Sequence, residues 1–201
     1  MKKIFFLPIV ALLVFSSCTS LDDTEIPKIF KKIFSDDFQD LPHNVTFVKE
    51  NWINFAEAGT VLWKSRIFDG NAYAEFNTFQ SGNVSNIGWL VTPEIDTQNN
   101  RNVSLIFQSA QNFVSSDDNN LKIYISNNLT GNNVLAATWT ELSATVANRT
   151  TAGYTFISSG KVDLSAHTGG KIRIAFKVTG SGTNTSLDGL FQVDNVKIIE
   201  N

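Results

Sequence analysis

From Lys171 to Thr179, Ile172, Ile174, Phe176 and Val178 fall on one parity, while Lys171, Arg173 and Lys177 fall on the other. Successive side chains of a strand point to opposite faces, so this alternation specifies a strand with one apolar and one polar face. A helix would scatter the same residues around its circumference. The pattern recurs. Val103, Leu105 and Phe107 alternate with Ser104 and Gln108, and Leu121, Ile123 and Ile125 alternate with Lys122, Tyr124 and Ser126. Strands of this kind belong to antiparallel sheets with solvent on one side. They are separated by turn-forming clusters at Asn99-Asn100, Ser115 to Asn120, Asn127 to Asn133 and Gly180 to Asp188. The expectation is an all-β sandwich or barrel of about nine or ten short antiparallel strands in a single domain.

Two segments sharpen this picture. Val61 to Phe68 and Ala72 to Phe79 flank Asp69-Gly70-Asn71, residues that tolerate positive φ, and read as a hairpin. In the last strand, Gly189 to Glu200, Phe191 and Val193 share one face, and the apolar parity then shifts to Val196 and Ile198. One extra residue that resets the phase is a β-bulge, a device that re-aims a side chain, and it singles out Asp194. The opening segment is ambiguous. Ile26, Ile29, Phe30, Ile33, Phe34, Phe38 and Leu41 fit a helical stripe stopped by Pro42. Phe34, Asp36 and Phe38 also share a strand face, and Lys32 to Phe38 is taken as the first strand.

Ahead of the domain, Lys2 and Lys3 precede an apolar run from Ile4 to Phe15, too short to remain as a membrane-spanning helix. Residues 1–17 therefore read as an export signal. Cys18 follows Ser16-Ser17 and is the only cysteine, so it has no intramolecular disulfide partner. The arrangement resembles a bacterial lipoprotein lipobox, which would lipidate Cys18 and make the acyl chain the only membrane contact. An ordinary secretory signal is the alternative. Residues 18–31, with Asp22, Asp23 and Glu25, read as a tether, either a surface-export signal like those of Bacteroidetes lipoproteins or a solvated linker. The domain itself would span 32–201.

The chain carries 16 basic against 19 acidic side chains, a net charge of −3, which argues against nucleic acid as a partner. Catalytic constellations are missing. His43 and His167 have no metal-type ligand at zinc spacing, there is no GxSxG elbow, and Gly160-Lys161 is followed by Val162. The adjacent Asp117 and Asp118 would point to opposite sides of a strand, whereas glycosidase carboxylates must face each other across a substrate. The tryptophans Trp52, Trp63, Trp89 and Trp139 are candidate sugar platforms. Trp89 and Trp139 read as core, and Trp63 and Tyr73, on neighbouring strands of one hairpin, as the surface candidates.

FSDDF near the start, GWLVTPEID, LKIYIS, ATWTEL, KVDLSAHTGGKIRIAFKVTG and the closing FQVDNVKI occur in this order. Together they resemble the choice-of-anchor J and cleaved-adhesin domains of Bacteroidetes surface proteins, distant relatives of MAM-like and carbohydrate-binding modules. The resemblance implies a two-sheet jelly-roll β-sandwich used in adhesion or glycan contact, without catalysis. It also implies a structural calcium between the first and last strands, held by Asp36, Asp37 and Asp194, with backbone carbonyls completing the oxygen shell that Ca²⁺ requires. Gln39 stands where the family usually has glutamate, and Gly88 where a relative can have asparagine. Solvated or turn-capping acids are the alternative to a metal site. The functional expectation is a surface-exposed, lipid-anchored module of the bacterial outer membrane that binds a glycan or a surface protein. A structural envelope subunit and, more remotely, a divergent polysaccharide hydrolase are the competing classes.

Overall fold

The computed structural model describes residues 30–201. The signal segment 1–17, Cys18 and all but the last two residues of the tether lie outside the described residues. The strands are β1 (Lys31–Asp36), β2 (Val45–Thr46), β3 (Ile53–Ala58), β4 (Lys64–Phe68), β5 (Asn71–Asn77), β6 (Asn86–Val91), β7 (Ile95–Asp96), β8 (Val103–Asn112), β9 (Asn120–Ser126), β10 (Thr140–Leu142), β11 (Ile157–Ser158), β12 (Val162–Asp163), β13 (Lys171–Gly180) and β14 (Leu190–Glu200). Two short 3₁₀ turns are the only helical elements among the described residues. Two antiparallel sheets stack in a sandwich. The first runs β2-β4-β5-β14-β8, with β11 and β12 pairing along β8 and β1 pairing β14. The second runs β3-β6-β13-β9-β10, with β7 added to β13.

The last strand is the axis of the first sheet. Along its whole length β14 pairs β8 on one edge, so β5 and β1 share the other edge end to end: β5 against Leu190 to Val193 and β1 against Val196 to Glu200. The two ends of the domain therefore meet as antiparallel neighbours, and the opening segment is a strand, not a helix. Helical periodicity lost here because β14 offers a row of unpaired backbone groups that only an extended chain can satisfy. Where β5 gives way to β1, Asp194 lies opposite Gln108 but Lys197 lies opposite Ile106, so β14 carries one extra residue. Asn195 occupies this bulge at φ 52°, a left-handed conformation that asparagine tolerates better than most residues.

Inward-facing side chains of both sheets fill one core, in which Phe107 and Phe176 meet edge to face with ring centroids 5.2 Å apart. Ile172, Ile174, Phe176 and Val178 all face inward, as their alternation requires. The opposite face of β13 is less open than expected. Ala175 is buried there beside Trp89, and Trp89 stacks on both Tyr124 and Trp139 at 5.5 and 5.3 Å. Lys177 lies 4.5 Å from the Trp89 ring and pairs with Glu57, which also accepts a bond from the Trp89 indole. A secondary apolar cluster thus coats the outer face of the second sheet, and Trp89 and Trp139 belong to it.

Trp63 is not a surface platform. It is fully buried in the main core, its ring 5.5 Å from that of Phe76. The reason is register. The Asp69-Gly70 turn, at φ 49° and 78°, pairs Phe68 with Asn71 and Arg66 with Tyr73. Counting back from these pairs puts Trp63 on the same inward parity as Ser65 and Ala74, opposite to Tyr73.

Candidate functional site

Two places concentrate polar and aromatic chemistry. The first is the junction where β1, β5 and β14 meet. Asp36 ends β1 and is committed: its carboxylate accepts bonds from the Lys49 ammonium at 2.8 Å, the Trp52 indole at 3.0 Å and the Phe38 amide at 3.0 Å. Lys49 also pairs with Asp40. Burial pulls the Lys49 pKa down, but these two carboxylates outweigh it and hold the ammonium above its ordinary value. Asp194 faces differently. It is 1% exposed and accepts from the Asn71 side chain at 2.8 Å and from the Asn195 amide at 2.6 Å. Burial pushes its carboxyl above the usual range; the two amide bonds oppose this, and the negative charge of nearby Asp37 adds to it.

Gln39 ties the junction together. Its side-chain amide donates to the Ala72 carbonyl and accepts from the Ala72 N–H, both at 3.2 Å, pairing with β5 as a strand would. It also donates to Asn71, which donates to Asp194. The Asn195 side chain completes the network by donating to Gln108 at 2.8 Å. Of the three carboxylates expected to share an ion, Asp36 is held by Lys49, Asp37 accepts from the Gln39 backbone amide at 3.3 Å, and the Asp37 charge acts on Asp194 only by helping to raise its carboxyl. An ammonium 2.8 Å from Asp36 leaves no favourable place for a cation there. Among the described residues no three His, Cys, Asp or Glu side chains cluster as a metal site. The residues present therefore do not fit a three-carboxylate calcium centre.

The second place is the outer face of the first sheet. The register that buries Trp63 turns Tyr73, Glu75 and Asn77 of β5 outward, beside Arg66 and Phe68 of β4 and Leu190 and Gln192 of β14. The segment before β11 passes along the outer edge of β8, with the Tyr154 amide bonded to the Gln111 carbonyl at 2.7 Å. From it Phe156 folds onto the sheet edge-on to Tyr73, centroids 5.5 Å apart. Sheet and segment enclose a cavity of about 540 Å³ with aromatic walls, the size of a small-ligand site. Its floor is polar. Glu75, nearly buried, faces Arg66 at 3.5 Å and accepts from Gln192 at 2.9 Å. Tyr73 is largely buried in the wall, and burial together with the Glu75 charge raises its phenol pKa. A second cavity of about 500 Å³ continues the first, with Asn77, Tyr154 and Leu190 lining both, and adds Phe79 and Phe113.

Tyr73 thus lies in a groove with the residue types that suit a sugar. Its expected partner Trp63 does not reach that groove. Tyr154, Phe156, Glu75 and Gln192 escaped notice in the sequence. The first two lie in an irregular segment with no periodicity to assign a face; Glu75 and Gln192 could have been found by following the register outward from the Asp69-Gly70 turn. The other candidates are placed apart from the groove. His43 accepts a bond from the Ile67 amide, and Asp117 is exposed and paired with Arg149 at 2.9 Å.

Two stacked antiparallel sheets carrying a groove on one outer face define the class, a two-sheet jelly-roll β-sandwich. The K3 cleaved adhesin domain of Lys-gingipain from Porphyromonas gingivalis W83 superposes with a TM-score of 0.55 at 16% identity, covering 84% of this chain and 99% of that one. The K2 cleaved adhesin domain of Lys-gingipain gives 0.53 at 14% identity, covering 84% and 99%. A carbohydrate-binding module characterised for specific mannan recognition gives 0.45 at 16% identity, covering 86% and 99%. The two gingipain domains share the fold with this chain. The chain belongs to the family described as Domain of unknown function (DUF5017), whose model matches residues 67–198. No curated protein matches the chain.

Proposed function

We propose that this chain is a non-catalytic binding module that holds a glycan in the aromatic groove of the first sheet, displayed at a bacterial cell surface by a lipid on Cys18. One observation carries the reading. Of the five exposed aromatic side chains among the described residues, Phe68, Phe79, Phe113 and Tyr154 all line this one groove, and only Phe30 lies elsewhere. Exposed rings cost solvation free energy, and their concentration beside a polar floor suits an amphipathic ligand such as a pyranose, whose C–H face stacks while its hydroxyls bond. Calorimetric titration with neutral polysaccharides tests it. Tyr154→Ala is expected to weaken binding by about tenfold, the equivalent of roughly 1.4 kcal/mol, with an unchanged melting temperature. Equal affinity of wild type and variant would remove the groove from the binding site. For the anchor, Cys18→Ser is expected to move the protein from the membrane to the soluble fraction; membrane retention by the variant would exclude lipidation there.

Calcium at the strand junction belongs to the same proposal in reduced form, with Asp37 and Asp194 as its carboxylates and without Asp36. The Asp194 carboxyl has a folded pKa above its unfolded value, so its contribution to stability is fully present below the unfolded pKa and is lost as pH rises through the folded one. At neutral pH the buried charge is a cost that a cation would offset. Melting curves of wild type and Asp194→Asn address both points. Without calcium the wild type is expected to lose stability relative to the variant as pH rises from 4 to 7. Calcium is expected to raise the wild-type melting temperature only. A curve insensitive to calcium and chelator in both proteins would discard the ion.

A further inference from the structure

Resting on the glycan reading, we infer that the groove takes an internal stretch of an extended, uncharged polysaccharide across two subsites that meet at Tyr154. The two cavities adjoin, with Asn77, Tyr154 and Leu190 lining both. Asn71 and Asn77 mark the two ends of β5, Asn71 lining the first cavity and Asn77 lining both; at strand rise they are about 20 Å apart. Phe79 and Phe113 carry the trough further. A single sugar ring fills only a fraction of that length, whereas a linear chain lying along β5 would meet rings throughout.

The charge of the lining selects against acidic sugars. Arg66 is the one cation in the two halves and already faces Glu75, and the remaining charge, Asp188, has no ion pair among the described residues. Within these two cavities a uronic acid or sulfated sugar would meet two carboxylates and one cation that is already paired, while Lys64, opposite Glu75 in the β4–β5 register, lines a neighbouring cavity with Asn77 and Phe79. Neutral hydroxyls fit better: Glu75 retains acceptor capacity beyond its bond from Gln192, and the Asn77 side chain lies next to it on the same face of the strand.

The backbone presents the rings at some cost. Phe113 and Tyr154 themselves adopt φ of 62° and 56°, and Phe68 and Phe79 immediately precede Asp69 and Gln80 at 49° and 54°. Left-handed backbone is uncommon for non-glycine residues and an outlier for bulky ones, and such strain gathers at ligand sites. All four exposed rings of the trough are held on or next to such a residue.

The test is a calorimetric ladder of neutral cello-, xylo-, manno- and malto-oligosaccharides, from disaccharide to hexasaccharide, with oligogalacturonides for comparison. Affinity for at least one neutral series should rise by about tenfold or more with length, and Phe113→Ala should flatten the rise at the longer members while leaving the shorter ones unchanged. Oligogalacturonides should bind more weakly than the best neutral series. Binding that is independent of length, or tighter for oligogalacturonides, would leave the glycan reading in place and overturn this inference. Absence of binding to every series would remove the glycan reading, and the inference with it.

Discussion

Trp63→Ala is expected to cost about 3–5 kcal/mol of folding stability, the range for deleting a large buried aromatic. The ring is fully buried against Phe76, and its removal leaves a cavity between the sheets that rigid paired strands cannot collapse to fill. The indole N–H is buried without a hydrogen-bond partner, so Trp63→Phe should lose distinctly less. Denaturant unfolding would show the alanine variant with a lower midpoint at an unchanged slope. Because Trp63 does not line the groove, whatever ligand the folded protein binds should bind the variant equally well below its transition. A stable variant with lost binding would restore Trp63 as a ligand platform and refute its placement in the core.

Gly88→Ala is the complementary case, overpacking instead of a void. Gly88 lies in β6 of the second sheet with its α-carbon against the ring of Phe76 from the first; a β-carbon there would meet that ring at 1.9 Å. Phe76 is fully buried and held by Trp63, so it has no free rotamer to retreat into. A loss of about 3 kcal/mol, at the upper end for added methyl groups in a tight core, is expected. Gly88→Ala combined with Phe76→Leu should recover part of it, since the smaller side chain vacates the contested space and the two substitutions then fail to add. Additive losses in the double variant would mean that Gly88 is required for some reason other than the ring above it. The asparagine that a relative can carry at this position would need Phe76 to be replaced or moved.

Particular residues show how far the sequence could be read. The alternation of Lys171 to Thr179 predicted which side chains of β13 face the core, because a strand allows only two directions. The parity shift at Asn195 predicted the bulge for the same reason. Asp69-Gly70 predicted the hairpin, and the register it imposes places Trp63 and Tyr73 on opposite faces, because residues on paired strands share a surface only when their parities match. Asp36 was misassigned for a different reason. Its carboxylate is equally suited to a cation and to Lys49, and Lys49 reaches it only through the loop between β2 and β3. Tyr154 and Phe156 had no pattern at all, since an irregular segment is oriented by what it packs upon.

The residue order by itself determined strand content, the faces of the regular strands, the turn at Asp69-Gly70 and the phase break at Asp194-Asn195, because each depends on neighbours a few positions away along the chain. Only the tertiary structure decided that β1 and β5 share one edge of β14, that Lys49 takes Asp36, and that rings from β4, the segment after β5, the end of β8 and the segment before β11 gather over one sheet. These depend on which distant segments satisfy each other's backbone groups and apolar faces. Such choices are made by the whole chain at once, through long-range pairing that no local window contains.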